Sequence, residues 1–303
     1  MTLPNLVVVG TLRSGSSSLN HYLSVHPDIF MARKKELQFF DHNFGLGLDW
    51  YEKHFEKAGG KKVVGECTPW YIYREDSLRK LADTLPSARL LVILRNPVDR
   101  AHSQYWMKRV RKKESRSFEE AVEEELPRFG EIGNDRPSAR DYLSCSNYAG
   151  LLERLYEYRD RESVKVVCME NLAAAPPTVL NDVAGFLGIT DFPDDPRLGR
   201  VVNRNLHIRL LWLRSLSKRF PRKAQSLVAR LNSMPLEYGD RLDPAMHDVL
   251  QKKFEPLNRR LEQLTGLDFS VWDRPVTEAS SSVAFRTQVS SQSAAFQSRS
   301  RPS

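Results

Sequence analysis

The sequence predicts an α/β fold, a parallel β-sheet flanked by helices on both faces. Three observations predict it. The strand candidates are short and continuously apolar at their centres, as in LVVV at residues 6–9 and LLVIL at 90–94, which is the pattern of strands covered on both faces. They alternate with helical stretches, as parallel strands joined by crossover helices do. Clusters of Gly, Ser and Arg stand at or just after the ends of the apolar runs, where open parallel sheets bind their ligands.

Taken in order, residues 5–9 form the first strand, and residues 16–25 form a helix that ends before Pro27. KKVVGE at 61–66 is a second strand and ARLLVILR at 88–95 a third. Pro97 suits the first turn of a helix running to about residue 111. Ser117 and Glu120 have capping-box spacing and start another helix. Residues 148–159 are helical, and VKVVCME at 164–170 is a fourth strand. A helix at 176–187 has Gly188 as its C-terminal cap. From residue 206 onward the chain reads as mainly helical, with a long amphipathic helix at 244–264. Residues 1–274 are expected to be one domain. The last 29 residues hold nine serines and little apolar content, so 275–303 are expected to be a disordered tail.

Composition narrows the function. With 303 residues, 41% of them hydrophobic, the chain has ample material for a core. No apolar run is long enough for a membrane span, and no secretory signal is visible at the N-terminus. Cys67, Cys145 and Cys168 are far apart, without metal-ligand spacing or a disulfide framework. No metal is expected, and a cytoplasmic, reducing setting is. The formal net charge of +8 suits an anionic ligand such as a nucleotide, nucleic acid or acidic saccharide. The basic run KRVRKKESR at 108–116 precedes an acidic run, EEAVEEE, at 119–125. Together they read either as a solvated helical hairpin or as a face toward an anionic acceptor. No basic patch interleaved with aromatics points to nucleic acid.

Residues 10–15 spell Gly-x-x-x-x-Gly between the first strand and the first helix. Such a P-loop-like turn offers unpaired N–H groups and the positive end of the helix dipole. Gly10 and Gly15 allow close backbone approach to an anion. Ser14, Ser16, Ser17 and Ser18 add hydroxyls, and Arg13 adds a planar cation. An ordinary strand-to-helix turn with serine caps would look similar. Nucleoside triphosphate loops place Lys directly after the second glycine, but Ser16 stands there. A sulfuryl group carries less charge than a phosphoryl group, so its transfer can rely on protein cations without a metal clamp.

Four stretches then converge. They are GTLRSGSSSL at 10–19, KELQFFDHNFGLGLDWYEKHF at 35–55, LRNPVDRAHSQYWM at 94–107 and NYAGLLERLYEYRDRESVKVVCMENL at 147–172. In this order the chain resembles sulfotransferases that use 3′-phosphoadenosine 5′-phosphosulfate (PAPS). It is most similar to the heparan sulfate N- and 3-O-sulfotransferase branch and its bacterial relatives. The resemblance implies that PAPS is the co-substrate, with no metal. It assigns Arg13, Ser14, Gly15, Ser16, Ser17 and Ser18 to the 5′-phosphosulfate, and Arg95 and Ser103 to the 3′-phosphate. Arg95 follows the strand, and Ser103 lies eight residues on, about two turns into the next helix. Read alone, Arg95 could instead cap a helix or pair with Asp99.

For catalysis the resemblance implies Glu36 as general base and Arg13 as a stabilising cation. Read alone, Glu36 could be a surface ion-pair partner of Lys34 or Lys35, and His42 and His102 are fallback bases. The implied function is sulfuryl transfer to an acceptor hydroxyl or amine of a saccharide, glycolipid precursor or secondary metabolite. The alternatives are a P-loop small-molecule kinase and a catalytically inactive nucleotide- or glycan-binding protein. The chain departs from the branch at three places. Arg13 stands where many relatives have Lys, Cys67 where N-sulfotransferases have Lys, and NSMPLEYG at 232–239 where a basic glycine loop is expected.

Overall fold

Five strands make one sheet: β1 (Leu6–Gly10), β2 (Ile29–Met31), β3 (Val63–Cys67), β4 (Arg89–Leu94) and β5 (Val164–Cys168). Every pairing is parallel, in the order β2-β3-β1-β4-β5. The structure is a computed structural model and describes residues 2–130, 141–199, 206–208, 233–235 and 242–273. Its helices are α1 (Ser16–Leu23), α2 (Leu48–Glu52), α3 (Glu75–Thr84), α4 (Pro97–Val110), α5 (Phe118–Glu125), α6 (Tyr148–Tyr156), α7 (Met169–Ala174), α8 (Pro176–Leu187) and α9 (Pro244–Thr265). The parallel α/β architecture expected from the apolar runs is present.

Strand alternation shows why the runs are continuous. Leu6 and Val8 of β1 and Leu91 and Ile93 of β4 pack with Leu19 and Leu23 of α1, Leu172 of α7 and Leu180 and Val183 of α8. The intervening Val7, Val9, Leu90 and Val92 point to the opposite face and are equally buried. Each such side chain stabilises the fold by roughly 1.5–3 kcal/mol. A second core joins Val98 and Ala101 of α4, Phe118 and Val122 of α5, and Leu250 and Phe254 of α9.

Several elements differ from expectation. The edge strand β2 has only three residues, too few to show a period in the sequence. β5 ends at Cys168, and Met169 already opens α7. Residues 206–208 and 233–235 form a short antiparallel pair, β6 (Leu206–Ile208) with β7 (Ser233–Pro235), where helix was expected. Apart from Ser233–Pro235, the stretch 232–239 lies outside the described residues, as does the tail 275–303. The chain forms two compact units, Met1–Asp268 and Phe269–Ser303. In the second, the rings of Phe269 and Trp272 stack at 4.3 Å.

The strand order positions the site. From β1 the chain crosses toward β2 and β3, whereas from β4 it continues to β5 on the other side. The loops leaving neighbouring β1 and β4 therefore diverge, opening the crevice in which such sheets hold ligands.

Candidate active site

The β1–α1 loop is tightly braced. A Cβ on Gly10 would lie 2.6 Å from Ile72 Cγ2, so only glycine fits there. Thr11 Oγ1 donates to Ile93 O of β4 at 2.9 Å. Its proton being used, it accepts from the Ser14 hydroxyl at 2.6 Å. Ser14 is fully buried, and its hydroxyl serves the loop from within. Leu12 N donates to the Tyr73 hydroxyl at 3.2 Å. Arg13 has φ 66° and Gly15 φ 91°, the left-handed region that costs a non-glycine residue on the order of 1–3 kcal/mol. The loop thus turns Arg13 outward at a conformational cost. Gly15 gives α1 no side-chain cap, and its carbonyl accepts from the N–H groups of Ser18 and Leu19, so the start of the helix is suited to an anion through Ser16 and Ser17.

The end of β4 is held as firmly. Tyr148 donates its hydroxyl proton to Arg95 O at 2.8 Å. Asn96 caps α4, accepting from Val98 N at 3.0 Å and Asp99 N at 3.3 Å. Inside α4, buried Arg100 donates to Ser146 Oγ at 2.5 Å, to Gln104 Oε1 at 2.6 Å and to Tyr142 O, bracing the helix against the segment before α6. Arg95 reaches Asp99 at a long 3.7 Å, the pairing its spacing allowed. Arg13 Nε donates to Ser103 Oγ at 3.0 Å. The β1–α1 loop and α4 therefore meet, through residues 90 positions apart.

The segment after β2 reaches the end of β3 and the start of α1. Glu36 N donates to Cys67 O at 2.9 Å, at the end of β3. Glu36 and Gln38 have φ 59° and 53°, and a π-helical turn at Phe39–Asn43 follows. Both features concentrate at functional sites. The Phe39 ring stacks on Tyr51 at 4.1 Å, and Phe40 meets Tyr71 edge-on at 5.3 Å. These rings anchor the segment, while the Glu36 side chain remains 40% exposed. His42 is exposed, near Asp41, and His102 Nε2 accepts from Trp106 Nε1 at 2.9 Å.

Beneath the segment lies a buried carboxylate. Glu66 accepts from Tyr51 at 2.7 Å, Tyr71 at 3.0 Å and Thr68 Oγ1 at 2.7 Å. Tyr71 in turn accepts from Phe39 N at 2.8 Å, tying the carboxylate to the backbone that carries Glu36. Burial pushes the Glu66 carboxyl up to about 7, while the three hydroxyls pull it back toward the ionised form. Burial also pushes the Cys67 thiol up to about 12. Cys67 is therefore a neutral thiol, donating to Ser16 O at 3.6 Å.

The sequence assigned Lys35 no role at the site. Lys35 Nζ donates to Ser17 Oγ at 2.9 Å and Ser16 Oγ at 3.2 Å, and lies 3.5 Å from Glu36 Oε1. In the sequence it is only a charge next to Glu36, because the contact depends on how β2 and β1 are spaced in the sheet. Tyr73, Tyr148 and Glu66 were missed for the same reason. Ser18 stands in the first turn of α1 with Ser16 and Ser17. No group of His, Cys, Asp and Glu able to hold a metal occurs among the described residues.

A glycine loop between strand and helix at the switch point of a parallel sheet, joined through Lys35 to the segment that carries Glu36, is the arrangement of a group-transfer site. The sulfotransferase domain family matches residues 3–203, and the chain belongs to that family. It is 28% identical over 275 residues to heparan sulfate glucosamine 3-O-sulfotransferase 6 of Mus musculus, covering 89% of this chain and 74% of that protein. It is 40% identical over 134 residues to the membrane-associated sulfotransferase kil1 of Dictyostelium discoideum, covering 41% of this chain. The chain spans 28% of the length of that protein and 25% of the Caenorhabditis elegans bifunctional heparan sulfate N-deacetylase/N-sulfotransferase 1. A solved sulfotransferase from Alicyclobacillus acidocaldarius superposes with TM-score 0.66 at 28% identity, covering 90% of this chain and all of that one.

Proposed function

We propose that the protein transfers a sulfuryl group from PAPS to a hydroxyl or amine of a saccharide acceptor. The observation that carries this reading is the bond between Arg13 and Ser103, which unites a loop suited to a 5′-phosphosulfate with a strand end suited to a 3′-phosphate. The loop N–H groups, Arg13 and the hydroxyls of Ser16, Ser17 and Ser18 bind the 5′ end, and Arg95 with Ser103 the 3′-phosphate. A donor with charge at both ends of one nucleoside fits two cationic stations in a single crevice.

Glu36, exposed and held on the opposite wall, takes the proton of the acceptor. The acceptor oxygen or nitrogen forms a bond to sulfur as the bond from sulfur to the phosphate oxygen breaks. Arg13 stabilises the charge that develops on the leaving oxygen. Such preorganised donors are usually the largest electrostatic contribution to a rate. Saccharide as the acceptor class rests on the heparan sulfate sulfotransferases among the relatives.

The test is incubation with radiolabelled PAPS and desulfated heparan oligosaccharides, followed by mass analysis. An 80-dalton gain per product, roughly one SO3, and release of the 3′,5′-bisphosphate are expected. Transfer from ATP with magnesium, and none from PAPS, would overturn the reading.

A further inference from the structure

We infer that Lys35 holds the sulfuryl end of the donor, supplying from the acceptor-side segment the cation absent after Gly15. This rests on the reading of the site as a PAPS-dependent sulfotransferase.

The first ground is electrostatic. The Lys35 ammonium sits on the hydroxyls of Ser16 and Ser17, in the first turn of α1. That end of a helix carries partial positive charge and favours anions, not cations. Arg13 belongs to the same loop. Among the described residues, the carboxylate within 4 Å of the amine is that of Glu36, at 3.5 Å and 40% exposed. A quarter-exposed ammonium in a positive field, with one solvated counter-charge, is an arrangement that an anionic ligand completes.

The second ground is position. The same amine touches the donor loop on one side and the proposed base on the other. In an in-line transfer, sulfur moves from a leaving oxygen at the loop to a nucleophile at the base. Lys35 stands between those two stations. It can donate to a non-bridging sulfuryl oxygen throughout the transfer while keeping its own proton. The proton released by the acceptor goes to Glu36.

The third ground is the direction of the hydrogen bonds. An ammonium only donates, so Ser16 and Ser17 accept from Lys35 and keep their own protons for ligand oxygens. Lys35 thus orients two hydroxyls as donors toward the space an anion would fill. Cys67, at the adjoining end of β3, is a neutral thiol and brings no charge.

The test compares Lys35→Met and Lys35→Arg with the unaltered protein, using PAPS and adenosine 3′,5′-bisphosphate (PAP) as probes in equilibrium binding. PAP lacks the sulfuryl group. Lys35→Met should raise the dissociation constant for PAPS about tenfold more than that for PAP, as for loss of one charge-assisted hydrogen bond. Sulfuryl transfer should fall about 10²-fold, as for loss of one preorganised donor. Lys35→Arg, which keeps the charge, should restore most of both. Equal weakening of PAPS and PAP, or no change in either, would overturn the Lys35 inference while leaving the proposed function standing. If the unaltered protein binds neither nucleotide, the proposed function falls and this inference with it.

Discussion

Two side chains carry the sharpest consequences at the scale of single residues. Glu36 is held by a strained backbone and a bond to Cys67 O, with its carboxylate 40% exposed beside Lys35. Glu36→Gln keeps the shape and removes the proton acceptor. Since general-base catalysis is worth about 10²–10⁴-fold, kcat should fall by that order. PAP affinity, measured by calorimetry, should barely change. Retention of more than roughly a tenth of turnover, with chemistry rate-limiting, would reject the base and turn attention to His42. Arg95 is the second. It is about a quarter exposed and only loosely engaged by Asp99, so its charge is partly screened. Arg95→Ala should weaken PAP by about 2 kcal/mol, roughly thirtyfold. Binding of 5′-AMP, which lacks the 3′-phosphate, should be nearly unaffected. Equal losses for the two nucleotides would reject Arg95 as the 3′ station.

At the scale of elements, β3 does more than add a strand. Its Glu66 is fully buried on the face opposite the α1 core and ties Tyr51 and Tyr71 to the Phe39 backbone. Its carboxyl is raised from 4.5 to about 7, chiefly by burial. A carboxyl raised in the folded state binds more protons there than in the unfolded chain. Stability is therefore greatest below about pH 4.5, as far as Glu66 alone contributes, and is lost as pH rises toward 7. Glu66→Gln removes this titration. Denaturant midpoints of the two proteins should converge in slope at high pH. Across the window, the original should lose on the order of 3 kcal/mol relative to the variant. Parallel pH profiles would show that Glu66 titrates normally. The helix α4 makes a different point. Pro97 and the apolar run of β4 are local signals, and the helix starts where they place it. The capping box at Ser117 and Glu120 likewise forms as its spacing implies. The edge strand β2 and the pairing of β6 with β7 were not readable, because three residues contain no period.

For the whole molecule the open matter is the net charge of +8. The basic run falls at the end of α4 and the turn that follows. Lys108 is held below its ordinary range by burial and by crowding from Lys113 and Arg111. Arg116 is already engaged by Glu114 and Glu124. Among the described residues, the cations of the run before Glu114 have no carboxylate within ion-pair distance. If they draw in a polyanionic saccharide, neutralising Arg109, Lys112 and Lys113 should raise the acceptor KM several-fold at low salt. It should also flatten its salt dependence, since the Debye length is about 10 Å at 0.1 M. PAPS affinity should be unaltered. Acceptor kinetics unchanged at low salt would leave the run as a solvated hairpin.

The linear order of residues was enough to establish the apolar strands, the glycine loop and the start of α4 at Pro97, because these depend on neighbours a few positions apart and their physical signals are local. Glu36 and Arg95 became candidates through the family resemblance of their motifs. The working arrangement was not contained in that order. Lys35 meets Ser17 across 18 positions, Arg13 meets Ser103 across 90, and Tyr73 meets Cys145 O across 72. Each contact requires β1 to lie between β3 and β4 in the sheet. Strand order is settled by which apolar faces can be covered together, and that is a property of the assembled layers rather than of any one segment. The lysine that the loop lacks therefore arrives from a different element, where no motif would show it.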